Sequence, residues 1–343
     1  MIASHAITGS LRKGLTVADI TYRYCTSDDF PAFHTLYGIQ AVETDGGYVQ
    51  SLNDLQAEMM RFDFDPASDL IGAFTEAGTM VGYAEFRVFR RPPVRPYLYG
   101  YTHPDYRGRG IGWHLIQKGL ERARSVVEVV PEDARVVLQF FSPREDGAAL
   151  LQGIGAMETR QSYIMALNLD DAPPEPVLPD GYRLATMADG ATLEEIAYAH
   201  QESFRDHRGN QDEPLEVLLK RWQEMVDADS HFDPSLFAVA KSGDEIAAVV
   251  TVHTTTEEDE NTGEVGLLGV LPDHRRQGLG LALLYFAFNE LYRRDKQAVI
   301  LSVDAASLTD APRLYRRAGM HVRTVYHAFE LELRPGVELT NQG

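Results

Sequence analysis

Residues 263–280, GEVGLLGVLPDHRRQGLG, gather side chains and glycines suited to holding an anion. The apolar run from 264 to 270 reads as a strand and Pro272 as a turn. Directly afterwards Leu283, Leu284, Ala287, Phe288 and Leu291 recur at helical spacing. Between strand and helix stand Arg275, Arg276, Gln277, Gly278, Leu279 and Gly280, which fit the pattern R/Q-x-x-G-x-G/A. Glycine lets a ligand come close to the backbone. The first turn of a helix offers unpaired N–H groups and the positive end of its dipole. A pyrophosphate suits such a place, although the same glycines also suit a strand-to-helix turn with no ligand at all. No G-x-x-x-x-G-K-[ST] loop occurs, and the third glycine of a G-x-G-x-x-G dinucleotide fingerprint is missing.

The arrangement occurs twice. Residues 98–102 form a candidate strand ending at Thr102, and His103-Pro104-Asp105-Tyr106 a turn. Then come Arg107, Gly108, Arg109, Gly110, Ile111 and Gly112, and a helix with Leu115, Ile116, Leu120 and Ala123 on one face. Arg275 and Arg107 lie 275 minus 107, or 168, positions apart. That is a domain length, so the chain reads as an internal duplication rather than a short-repeat solenoid.

The strand, V-L-P-D-H-R-R-Q-G-L-G, the helix, the next strand and L-Y-R-R-A-G-M together closely resemble the GNAT-superfamily N-acetyltransferases over residues 180–333. The resemblance implies that this loop cradles the pyrophosphate of coenzyme A, with Leu268, Gly269, Val270 and residues 275–280 as cofactor contacts. Thr102 and residues 107–112 are the corresponding set in the first copy. It also implies acetyl transfer from acetyl-CoA to a primary amine. An ammonium must lose a proton before it can attack a thioester, and a carboxylate can take that proton. The departing thiolate gains from a proton donor, and strand amides can polarise the thioester carbonyl. In family members with a glutamate base, that residue stands eleven positions ahead of the first Arg/Gln of the loop; here it is Glu264. The tyrosine of L-Y-x-x-x-G-[FM], here Tyr315, is the family's acid. In the first copy Pro96 and Leu151 occupy these places, and neither can move a proton. One departure concerns an asparagine that the family often has seven residues before the tyrosine; this chain has Leu308 there and Arg144 in the first copy. Tandem members of the superfamily carry the chemistry in the C-terminal half beside a degenerate N-terminal partner.

Elements that would position these residues follow from the rest of the chain. At 343 residues it is long enough for about two domains. Residues 1–170 read as the N-terminal domain. Residues 171–180, rich in Pro and acid, read as a linker, and 181–343 as the catalytic domain. Each is expected to be a GNAT-like α/β domain, a mixed and mostly antiparallel sheet flanked by helices. A helix is expected from Ser27 or Asp28 to about Gly38 and another from Ser51, with Leu52, Leu55 and Met59 on one face. Trp113 and Trp222 fall within expected helices and are expected to pack in the core. Asp206-His207-Arg208 reads as an exposed turn or as a substrate-contacting loop, and residues 257–260 as a solvated acidic turn or a cation-attracting rim.

The net charge of −19 argues against nucleic acid as a partner and leaves a small-molecule amine plausible. The single cysteine, Cys25, excludes an internal disulfide. No clustered His/Cys set calls for a metal, and no G-x-S-x-G elbow calls for a nucleophilic serine. No apolar run reaches membrane-spanning length and residues 1–14 have no sustained apolar core, so a cytoplasmic protein without a membrane partner is expected. The rival to an enzyme is an acyl-CoA sensor or scaffold in which both halves bind and neither reacts; the presence of Glu264 and Tyr315 favours the enzyme.

Overall fold

The computed structural model describes residues 20–44, 51–60, 63–207, 213–229, 231–256, 259–307 and 309–339. In the first half the order is β1 (Ile20–Tyr24), α1 (Phe30–Thr44), α2 (Leu52–Met59), α3 (Pro66–Asp69), β2 (Leu70–Thr75), β3 (Met80–Arg87) and β4 (Tyr97–Thr102). It continues with α4 (Ile111–Val127), β5 (Val136–Ser142), α5 (Glu145–Gly153) and β6 (Met157–Asn168). The second half runs β7 (Tyr182–Thr186), α6 (Leu193–Phe204), α7 (Leu215–Ala228), β8 (Phe237–Ser242), β9 (Glu245–His253) and β10 (Thr262–Val270). After these come α8 (Leu279–Tyr292), β11 (Ala298–Asp304), α9 (Ala311–Arg317) and β12 (His321–Arg334). Helix α1 starts after a capping box between Thr26 and Asp29 and runs six residues beyond Gly38. Gly38 lies within the helix, because its neighbours Phe33, Leu36 and Ala41 bury a continuous apolar face that outweighs one glycine's propensity cost.

All twelve strands form one sheet, in the order β1-β2-β3-β4-β5-β12-β6-β11-β10-β9-β8-β7. The expected mostly antiparallel character holds: among the twelve strands of the described residues, β4–β5 and β10–β11 pair in parallel and the other neighbours antiparallel. The two half-sheets are nonetheless joined by an exchange of their last strands. β12 lies between β5 and β6, and β6 lies between β12 and β11. Thus the final strand of each half pairs with the fifth strand of the other, and 171–180 carries no helix or strand.

Adjacent residues show how helices cover the two faces. A Cβ on Gly82 would meet Ile111 and Leu115 of α4, whereas the ring of Tyr83 packs on Phe33 of α1. Likewise a Cβ on Gly269 would meet Ser203 of α6, while Val270 lies under Gly280 of α8. Successive strand residues point to opposite faces, so α1 and α4, and α6 and α8, sandwich the sheet. No helix among the described residues is long and apolar enough to cross a membrane.

Candidate active site

The C-terminal glycine loop adopts the geometry its residues allow. After β10, a short turn at Pro272–His274 leads to Arg276 at φ +64° and Gly278 at φ +95°. Both are in the left-handed region, which a glycine enters without strain. Helix α8 then starts with no side-chain cap at Gly278, and its first backbone bond to the loop is Ala282 N–H to the Gly278 carbonyl. The N–H groups of Leu279, Gly280 and Leu281 therefore have no partner among the described residues, and they lie at the positive end of the helix. Nothing stands closer than Pro179, 3.8 Å away, to a Cβ placed on Gly278.

Arg275 faces the other way. Its Nε donates to the Val270 carbonyl at 3.1 Å, one Nη donates to Asp206 at 2.8 Å and the other to the Ser203 carbonyl at 3.1 Å. The guanidinium beside Asp206 holds that carboxyl below its usual range. Tyr182 at the start of β7 fastens the same loop, its hydroxyl 2.9 Å from His274 Nδ1 and donating to Gln277 Oε1 at 3.0 Å.

Upstream of the loop the sheet forks. β10 and β11 pair only from Thr262 to Glu264, against Ala298 to Ile300. Beyond Glu264 the register of β10 on β9 slips, Val265 facing Val252 and Leu267 facing Thr251, which leaves Gly266 as an extra residue. A bulge of this kind frees backbone groups from the ladder and bends the strand. A Cβ at Gly266 would stand 2.8 Å from His253 Nε2, so a side chain there would have to push that ring aside.

The fork opens onto a cavity of about 460 Å³. Val265 to Leu268 and Leu301 to Asp304 form its two strand walls, and Tyr315 lies on it from α9. Tyr315 is 7 % exposed, and burial pushes its hydroxyl up to about 12, so it carries its proton at neutral pH. Glu264 is half-buried, opposite His253 on β9 and Ile300 on β11; it immediately precedes the cavity wall and is not one of the lining residues. The remaining wall is shared. Helix α6 contributes His200 and Phe204, with His207 just beyond its end, while Arg90, Pro96, Gln139 and Arg160 come from the first half. Arg160 pairs with Asp304 at 3.3 Å across the strand exchange.

Two stretches, residues 33–137 and 193–320, match the model of the Acetyltransferase (GNAT) family. The chain belongs to the GNAT acetyltransferase family. It is 30% identical over 288 residues to a mycothiol acetyltransferase of Thermobispora bispora, covering 83% of this chain and 90% of that one. A mycothiol acetyltransferase of Saccharopolyspora erythraea is 26% identical over 273 residues, 78% of this chain and 86% of the other. Among solved structures, a GCN5-related N-acetyltransferase from Sphaerobacter thermophilus superposes with a TM-score of 0.78 at 30% identity, over 95% of this chain and 99% of that one. A tandem GNAT protein from the clavulanic acid biosynthesis pathway shares the fold at TM-score 0.70 and 16% identity, over 93% and 100% of the two chains. This acetyltransferase is therefore an enzyme of the tandem GNAT kind, and acetyl-CoA is its acyl donor. The C-terminal loop fits that donor: three unpaired N–H groups, open space above Gly278 and a bulged strand lead in sequence from the helix to the cavity.

In the first half of the acetyltransferase the same loop recurs with a different fork. Gly108 and Gly110 stand at φ +72° and +81°, and the N–H groups of Ile111, Gly112 and Trp113 lack partners among the described residues. Arg107 turns inward as Arg275 does, its Nε donating to the Thr102 carbonyl at 3.0 Å and its fork to Glu43. Arg109 bonds the Asp105 carbonyl at 2.7 Å. However, β4 runs in regular register on β3 from Tyr97 to Thr102, with no bulge. Beyond Tyr97 and Gln139, where β4 and β5 pair, the rings of Tyr97, Tyr99 and Phe141 stack from one strand to the other, with centroids 5.9 to 6.5 Å apart. Leu151 is buried in the apolar core.

Several expectations change. Trp113 is 43 % exposed rather than in the core: Ile111 and Leu115 carry the sheet-facing side of α4 and Trp113, between them, lies on the solvent side, whereas Trp222 is buried as expected. Asp206 anchors Arg275 and His207 lines the cavity, so that loop serves the site; Arg208, Glu257, Glu258 and Leu308 lie outside the described residues. Sequence reasoning passed over His200, although 200, 204 and 207 share a helical face by spacing. It also passed over Arg90, Gln139 and Arg160, for which no local signal exists, because they reach the cavity only through the strand exchange.

Proposed function

We propose that the C-terminal half transfers the acetyl group directly to a primary amine of a small molecule bound in the shared cavity, with Glu264 as base and Tyr315 as acid. The observation that carries this reading is the bulged fork of β10 and β11 opening onto a cavity that holds the protonated Tyr315 hydroxyl. The donor supplies an activated acetyl thioester. The α8 N-terminus would hold its pyrophosphate through the N–H groups of residues 279–281, and Arg275 would position the loop rather than touch the phosphates. Backbone groups released at Gly266 would polarise the thioester carbonyl. Glu264, on the strand entering the cavity wall, would receive the ammonium proton through water. Tyr315 would give its proton to the leaving sulfur.

We assign the first half, residues 1–170, the role of a non-catalytic partner that supplies part of the acceptor wall across the 171–180 linker; the regular register of β4 on β3 and the apolar Leu151 support this. The decisive experiment measures thiol release from acetyl-CoA across a panel of amines, headed by the acceptor of the related mycothiol acetyltransferases. Amine-dependent release lost in Tyr315→Phe is the expected result. Equal release with and without amine in every case would overturn the reading.

A further inference from the structure

His200, on the cavity wall, has its proton placement dictated by a neighbour that can only donate. The indole N–H of Trp222, on α7, points at His200 Nδ1 at 3.3 Å, and an indole nitrogen has no lone pair to offer in return. Nδ1 must therefore be the bare, accepting nitrogen. In a neutral ring the proton then resides on Nε2, at the opposite edge. Among the described residues the ring's hydrogen bond is the one at Nδ1, and His200 lines the cavity. The ring also makes edge contacts with Phe204 at 5.5 Å and Trp222 at 5.7 Å.

The surroundings keep the ring neutral. Burial, and then the charges of Arg90 on the β3–β4 connection and Arg221 on α7, press His200 down to about 4. Arg221 itself pairs with Glu213 and donates to the Phe89 carbonyl at 3.1 Å, which fixes that connection against α7. This end of the cavity thus combines an N–H donor with nearby positive charge. The other end, at Asp304 and the fork, is where an amine would be used.

We propose that His200 is a specificity-determining residue, an Nε2–H donor that selects acceptors carrying an oxygen lone pair, such as a hydroxyl or carboxylate, at the end remote from the reacting amine, and disfavours a second ammonium there. The inference rests on the acetyl-transfer reading above and adds a polarity to the acceptor: amine toward the fork, electron-rich group toward α6 and α7.

A matched pair of probes tests it, 5-amino-1-pentanol and 1,5-diaminopentane, which differ only at the remote end. Full-length enzyme with acetyl-CoA should prefer the amino alcohol in kcat/KM by about ten-fold or more, the effect of one satisfied against one repelled partner. His200→Leu should erase that ratio by raising the KM for the amino alcohol, with the KM for acetyl-CoA unchanged. His200→Gln, which keeps an N–H donor, should retain much of it. Independently, long-range ¹H–¹⁵N NMR of the full chain should find His200 neutral at pH 6 with its proton on Nε2, and Trp222→Phe should relax that tautomer. An Nδ1–H tautomer, an imidazolium at pH 6 or an unchanged ratio in His200→Leu would each overturn the proposal. If no amine at all elicits thiol release, the acetyl-transfer reading is what fails, and the tautomer measurement still decides the state of His200.

Discussion

The two forks of this sheet carry nearly the same loop and differ in what lies upstream of it. Arg276 and Gly278 at φ +64° and +95° match Gly108 and Gly110 at +72° and +81°. Arg275 and Arg107 each return Nε to a carbonyl five residues back and their forks to a carboxylate on or just beyond the first long helix of their half, Asp206 and Glu43. A glycine loop of this form is shared by both copies, so its presence does not tell the two halves apart. The difference lies in one inserted residue and a few side chains. Gly266 breaks the ladder and opens β10, whereas an unbroken β4 carries Tyr97 and Tyr99 against Phe141.

Proton transfer should show the largest contrast. Tyr315→Phe is expected to lower turnover by about 10²-fold while leaving acetyl-CoA affinity nearly intact, and Leu151→Tyr should restore nothing to the first half. Isothermal calorimetry beside steady-state rates checks both. Glu264→Gln should cost a similar factor, shrinking at high pH where the amine is already neutral; a flat wild-type pH–rate profile in that variant would remove Glu264 from the mechanism.

The loops come next. Gly278→Trp should weaken coenzyme A binding by at least about ten-fold, because the side chain fills the approach to the backbone and the φ value strains any L-residue. Gly110→Trp should leave turnover within about two-fold of wild type by the same reasoning, since no proton donor awaits at Leu151. Equal losses of activity would mean that the halves share the chemistry.

The smallest effects concern stability. Tyr99→Ala should unfold the enzyme more easily by about 2 kcal/mol, through lost ring packing, with no new activity gained in exchange. Glu43 is held down to about 2, first by its hydrogen bond from Arg107. A carboxyl depressed in the folded state contributes stability above its unfolded value of 4.5, lost as the pH falls from there towards 2. Glu43→Gln should thus cost about 1–2 kcal/mol at pH 7, after allowing for its partial exposure, and the gap to wild type should close as the pH drops through that window. Chemical denaturation at several pH values reads this directly.

Much of this was legible in the sequence, and the boundary has a physical cause. The helix that follows each glycine loop comes from local periodicity, which acts over a few positions. So do both loops, because positive φ needs glycine at Gly278 and Gly110. The pairing of β6 with β11 and of β12 with β5 does not, since nothing in a strand's own alternation names the strand it lies beside. Arg160 and Gln139 consequently reached the cavity unannounced. The inward turn of Arg275 was also hidden: a guanidinium near a phosphate-type loop serves anion or scaffold equally by type, and only the placement of Asp206 decides between them. Trp113 shows that residue type alone does not place a side chain in the core: it stands off the face that Ile111 and Leu115 turn to the sheet.

The strand exchange sets a schedule on the ribosome. β5 and β6 are made early, but the strand that belongs between them, residues 321–334, emerges about 150 residues later. Until then the nascent first half exposes two unpaired edges, the kind of surface that recruits stray strands and chaperones. A stalled chain ending before residue 321 should accordingly stay protease-sensitive at 136–168, and protection should arrive there in one step once the last strand clears the exit tunnel.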